Sequence, residues 1–116
     1  DNDLLDVIEI GSRIHPVGSV IDIKILGCLG LIDNGILDWK IVAIDINDEF
    51  ASKINDINEI EDYKPGLLDA TIDLFRFYKV PNGEQPIKIA NLDTFFNRRG
   101  ALEIIEISHK FWISLI

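Results

Sequence analysis

Ile32-Asp33-Asn34-Gly35-Ile36-Leu37-Asp38-Trp39 decides how this chain folds. Asp-Asn-Gly between two apolar runs is a strong short-range hairpin signal, because Asn and Gly tolerate the positive φ of a tight turn. Upstream, Ser19 to Ile32 starts with Asp22 and Lys24 alternating with Ile21, Ile23 and Ile25, a period of two. It then turns apolar on both faces through Leu26-Gly27-Cys28-Leu29-Gly30-Leu31. A helix competes for this stretch. Two glycines and the β-branched content favour a strand, with Gly27 and Gly30 marking a bend or bulge. Downstream, Trp39 to Ile46 is nearly continuous in apolar residues and reads as a return strand buried on both sides. If the connection runs from Asn34 to Leu37, Asp33 and Asp38 face each other at its mouth. Like charges so placed destabilise a hairpin unless a cation lies between them.

A second carboxylate cluster opens the chain: Asp1-Asn2-Asp3-Leu4-Leu5-Asp6. No Lys or Arg occurs before Arg13, so these charges have no local basic relief. Two readings fit: an acidic, solvated N-terminus, or a site for a hard divalent cation. Mg²⁺ is held by a few carboxylates together with substrate phosphates. Calcium fits less well, because an EF-hand loop needs a central oxygen ligand and a turn glycine that are missing here.

The remaining sequence changes period. Val7-Ile8-Glu9-Ile10 is a short strand closed by Gly11-Ser12, and His15-Pro16-Val17-Gly18 is a turn. Asp56-x-x-Glu59 caps a short helix through Ile57, Ile60 and Tyr63. Leu68, Thr71, Ile72, Phe75 and Tyr78 form a helical stripe over Leu67 to Tyr78. Glu84 to Phe96 has no clean period, and a last helix follows Asn97-Arg98-Arg99-Gly100. Sheet first and helices after is an α+β pattern.

At 116 residues the chain is one domain or a piece of one. With 47% apolar residues it can bury a core, and a net charge of −9 argues against a nucleic-acid surface. Cys28 stands alone, which excludes a disulfide framework and suits a buried thiol in a reducing compartment. No apolar stretch is long enough to span a bilayer as a helix. The chain begins at Asp1 rather than Met, so a preceding segment, including a targeting peptide, is compatible with it.

Three blocks in order resemble the soluble, magnesium-dependent family I inorganic pyrophosphatases, most closely their eukaryotic branch. Asp1-Asn2-Asp3-Leu4-Leu5-Asp6-Val7 is similar to the family signature, with three aspartates at this spacing. Asp33-Asn34-Gly35-Ile36-Leu37-Asp38-Trp39-Lys40 resembles the second block, and Phe75-Arg76-Phe77-Tyr78-Lys79-Val80-Pro81-Asn82-Gly83 the third. The resemblance implies an OB-like five-stranded β-barrel with flanking helices. It also implies hydrolysis of inorganic pyrophosphate to two phosphates. Carried over by position, Asp1, Asp6, Asp33 and Asp38 are expected as metal ligands and Asp3 as the general base. Lys40, Tyr78 and Lys79 are expected to contact phosphate oxygens, Lys40 with a catalytic role. A homodimer in the cytoplasm, or in the mitochondrial matrix, is the further implication.

Leu4 stands where the family usually has Pro or an acidic residue, which loosens the loop between Asp3 and Asp6. Such changes are worth about 0.4–1 kcal/mol through the unfolded state. In the family, preceding sequence supplies the first barrel strands and further site residues. The expectation is therefore a C-terminal portion of a pyrophosphatase domain over residues 1–116, with an incomplete barrel and with weak or no activity alone. The alternative is a non-catalytic pyrophosphatase-like interaction protein.

Overall fold

A computed structural model describes residues 5–115, with side chains through Ser108. The long hairpin is its centre. Strand β2 (Ile23–Asp33) and strand β3 (Ile36–Asp45) pair antiparallel around Asn34 and Gly35, whose φ values of 53° and 78° are those of a two-residue primed turn. The connection is thus shorter than Asn34 to Leu37. Asp33 pairs with Ile36 and Asp38 with Leu31. Asp33 and Asp38 are therefore diagonal neighbours on one face, not partners across the mouth.

Strand β1 (Asp6–Glu9) adds parallel to β3, and a two-residue strand β4 (Lys88–Ile89) adds antiparallel to β2. The order among the described residues is β1-β3-β2-β4, a mixed sheet that does not close. The barrel is partial, with four strands here rather than five. The expected irregularity in β2 is a bulge: Ile25 pairs with Ala43 and Gly27 with Val42, leaving Leu26 without a partner. Gly27 is required there. A Cβ on it would lie 2.5 Å from the Phe96 carbonyl oxygen and 2.9 Å from Ile57 Cβ.

The two faces of the hairpin are buried by different elements. Leu29, Leu31, Val42 and Ile44 pack with Ile54, Ile57 and Ile60 and, at the margin, with Leu68, Ile72 and Phe75. Ile54 lies in the preceding loop, and the others come from a 3₁₀ turn (Ile57–Glu59) that runs into helix α1 (Ile60–Tyr63), and from helix α2 (Leu67–Phe77). The opposite face carries Cys28 and Ile41, with Trp39 alongside, against Ala101, Ile104 and Ile105 of helix α4 (Arg98–Leu115). Burial on both sides explains the loss of alternation in β2 and β3. Burial also pushes the Cys28 thiol up to about 11.

Asp56 caps as its position predicts: Oδ1 accepts from Ile57 N at 2.7 Å and also from Arg98 N at 2.9 Å, tying the 3₁₀ turn to the start of α4. Glu59 reaches Asn55 N at 2.8 Å, one residue before the expected partner. The stretch Glu84 to Phe96 is more regular than its sequence suggests. It holds β4 and then a single turn, α3 (Ala90–Asp93), in which Asn91, Leu92 and Asp93 have φ between 56° and 63°. Among the described residues no helix is long and apolar enough to cross a membrane.

Candidate active site

Register places the candidate residues. Asp6 pairs with Lys40 across the parallel strands, so the two side chains share a face. Asp38 lies two residues before Lys40 on β3 and projects to that face, and Asp33 joins it from β2. Helix α2 covers the same face farther along, through Leu68, Ile72 and Phe75. Its C-terminal end delivers Tyr78 and Lys79 to the charged end of the sheet.

Three lysine–carboxylate contacts result, made by two lysines. Lys40 Nζ lies 2.6 Å from Asp6 Oδ2 and 3.0 Å from Asp38 Oδ2, bridging two strands. The Lys40 side chain is 14% exposed, whereas Asp6 and Asp38 are 67% and 48% exposed. Burial alone would lower the Lys40 ammonium, but the hydrogen bonds to Asp6 and Asp38 and their charges outweigh it and hold the group above the ordinary lysine range. Lys79 donates to Asp33 Oδ2, and this hydrogen bond holds its ammonium up as well, against some desolvation. Tyr78, half exposed, has its ring 5.6 Å from Lys79 Nζ. Asp6, Asp33, Asp38, Lys40, Tyr78 and Lys79 therefore gather at one end of one face, while Asp1 and Asp3 lie outside the described residues.

Whether this set suits a metal can be judged from its donors. The carboxylate oxygens are hard ligands of the kind Mg²⁺ takes. The gap between Asp6 and Asp38 already holds a cation, the Lys40 ammonium, within hydrogen-bonding distance of both. Among the described residues no three carboxylate, imidazole or thiol groups converge on one point. The donor chemistry and charge fit a hard divalent cation, and of the expected ligands Asp1 lies outside the described residues.

Two features carry no signal in the sequence pattern. A cleft of about 500 Å³ opens beside Asp33, walled by Asn34, Glu84, Pro86 and Lys88. Its far wall is β4, which is too short to show a period. The other is Phe75, which reads as one more apolar residue in a helical stripe. Its ring lies 5.9 Å from Lys40 Nζ and meets the Tyr78 ring edge-on, with centroids 6.2 Å apart at 83°.

The family model described as inorganic pyrophosphatase matches residues 1–113. An inorganic pyrophosphatase of Drosophila melanogaster is 48% identical over all 116 residues, which cover 34% of its length. The structure of inorganic pyrophosphatase from Schistosoma japonicum superposes with a TM-score of 0.95 at 48% identity, over 100% of this chain and 41% of that one. An N-terminally truncated vacuolar soluble pyrophosphatase of Trypanosoma cruzi, in complex with PPi, superposes with a TM-score of 0.95 at 39% identity, over 99% of this chain and 44% of that one. The chain thus spans well under half the length of the curated relatives it matches, from 27% of one to 40% of another.

Proposed function

This chain belongs to the inorganic pyrophosphatase family, and from that premise we propose that the protein containing it hydrolyses inorganic pyrophosphate to two phosphates with Mg²⁺. The observation that carries the proposal is the meeting of three aspartates and two lysines at one end of one sheet face. Two lysines with a neighbouring phenol suit a dianionic phosphate. Clustered carboxylates beside them suit the metal that accompanies it.

Asp1, Asp6, Asp33 and Asp38 are the proposed metal ligands. Bound Mg²⁺ supplies an acidified water and neutralises charge on phosphate oxygens. Asp3 is the proposed general base, taking the proton of the attacking water. Lys40 and Lys79 place ammonium charge against phosphate oxygens, where phosphoryl transfer needs positioning and charge neutralisation more than covalent help. Tyr78 adds a neutral donor. Lys40 stands between Asp6 and Asp38 in the structure, and its ammonium would be free for phosphate if those carboxylates held the metal. The proposed substrate is inorganic pyrophosphate, the proposed assembly a homodimer of the full-length form, and the proposed compartment the cytoplasm, with the mitochondrial matrix as the alternative.

The test is phosphate release from pyrophosphate with and without Mg²⁺, in wild type and in Lys40→Met and Lys79→Met. Metal-dependent release that falls in both variants supports the reading. Release unaffected by either substitution removes these lysines from the site.

A further inference from the structure

We propose that Phe75 is a positioning residue of the phosphate site: its ring engages both the Lys40 ammonium and the Tyr78 ring. The inference rests on the reading of Lys40 and Tyr78 as phosphate-binding groups, and it assigns a role to a residue that touches no phosphate itself.

Three observations meet at this ring. Lys40 Nζ is 5.9 Å from its centroid, within the range of a cation–π contact. The Tyr78 ring packs against it edge-on, 6.2 Å away at 83°, the arrangement that the aromatic quadrupoles favour. Phe75 is itself anchored, half buried at the margin of the main core with Leu68 and Ile72. Phe75 and Tyr78 are three residues apart, so α2 carries them on one face and turns that face toward β3.

The chemistry explains why an aromatic ring suits this position. A lysine has a flexible four-carbon stem and a point charge, so its ammonium needs external constraint to be aimed. Asp6 and Asp38 constrain it, but they also neutralise it. The face of Phe75 attracts the same ammonium without cancelling its charge, which leaves that charge available to an incoming anion. One ring fixed by the core therefore orients a cationic and a phenolic donor, on two different elements, relative to each other. A leucine would fill the volume and lose both interactions.

The experiment compares wild type, Phe75→Leu, Phe75→Tyr, Lys40→Gln and the Phe75→Leu/Lys40→Gln double variant, in the protein as its gene encodes it. The kinetic readout is kcat and KM for pyrophosphate with Mg²⁺. Phe75→Leu is expected to lower kcat/KM by about three- to tenfold. Phe75→Tyr, which keeps the ring, restores it, and Phe75→Leu costs much less once Lys40 is Gln. Equal kinetics for Phe75→Leu and wild type, or an undiminished loss in the Lys40→Gln background, overturns the proposal. An NMR readout stands apart from activity: the Lys40 ε-methylene protons, assigned by their loss in Lys40→Gln, are expected upfield from the ring current and to return in Phe75→Leu. Unshifted protons in wild type overturn the proposal even if the leucine variant fails to fold. Absence of hydrolysis in wild type with the shifted protons present contradicts the pyrophosphatase reading instead, and leaves the Phe75–Lys40 contact established.

Discussion

Asp6 and Lys40 stand opposite each other across the parallel β1–β3 pair, and the Lys40 ammonium, 2.6 Å from Asp6, reaches Asp38 on its own strand at 3.0 Å. One cation thus serves two carboxylates on adjacent strands, which ties the edge strand β1 to the hairpin. Lys40→Met keeps most of the stem and removes the charge. It leaves Asp6 and Asp38 without that cation. Both carboxylates are well exposed, so the loss of stability is modest, up to about 1 kcal/mol. Urea unfolding at low and high salt checks it. The difference from wild type is largest at low salt and shrinks as salt screens the charges.

Magnesium is expected to stabilise the folded chain. A ligand that binds only the folded state adds RT ln(1 + [L]/Kd), about 2.7 kcal/mol at a hundredfold excess over Kd. Thermal unfolding followed through a Mg²⁺ titration should show a rising midpoint in wild type and a smaller rise in Asp38→Asn. A midpoint that stays constant up to millimolar metal contradicts a metal site on these carboxylates.

Acid sensitivity is expected at the opposite end of the sheet. Asp48 is buried; Oδ2 accepts from Ser12 N at 2.9 Å and Oδ1 from Phe50 N at 2.9 Å. Burial would raise its carboxyl, but those backbone hydrogen bonds outweigh it and hold the group below the ordinary carboxylate range. A lowered folded value means the stabilisation is complete above the unfolded value and is lost as pH falls through the folded one. Asp48→Asn replaces one accepting oxygen by an amide NH₂ and leaves a backbone N–H unsatisfied, at a cost of about 1–3 kcal/mol near neutrality. Denaturation at neutral pH and well below pH ~4 tests the sign. The gap between wild type and variant narrows in acid, and a gap that is constant with pH contradicts the assignment.

Much of this architecture is legible in the sequence because local chemistry and tertiary demand agree. Asn34-Gly35 forms the turn those residues favour, and Gly27 sits at the bulge that the glycine suggests. The helix over Leu67 to Tyr78 follows its apolar stripe and ends at Phe77. The hairpin register is less legible, since both a two-residue and a four-residue connection satisfy the same pattern. The shorter one makes Asp33 and Asp38 diagonal neighbours. β4 is invisible in the sequence because a two-residue strand after Pro86 has no period, and only its pairing with Leu31 and Ile32 defines it. The motifs single out Asp6, Asp33, Asp38, Lys40, Tyr78 and Lys79, and the fold brings these residues together at one end of one sheet face. Phe75 is not singled out, because an apolar residue in a helical stripe looks the same whether it fills the core or faces a lysine.

The central claim is that these carboxylates and lysines belong to a hydrolytic pyrophosphate site with Asp3 as its base. The most direct measurement is Mg²⁺-dependent phosphate release from pyrophosphate by wild type and Asp3→Asn, in the chain together with any sequence its gene encodes around it. Mg²⁺ affinity is measured on the same samples by titration. The prediction is release in wild type that needs Mg²⁺, and a loss in Asp3→Asn of about 10²-fold or more while metal binding changes little. No release from wild type, as the non-catalytic interaction protein would give, contradicts the account. So does an Asp3→Asn variant that turns over normally.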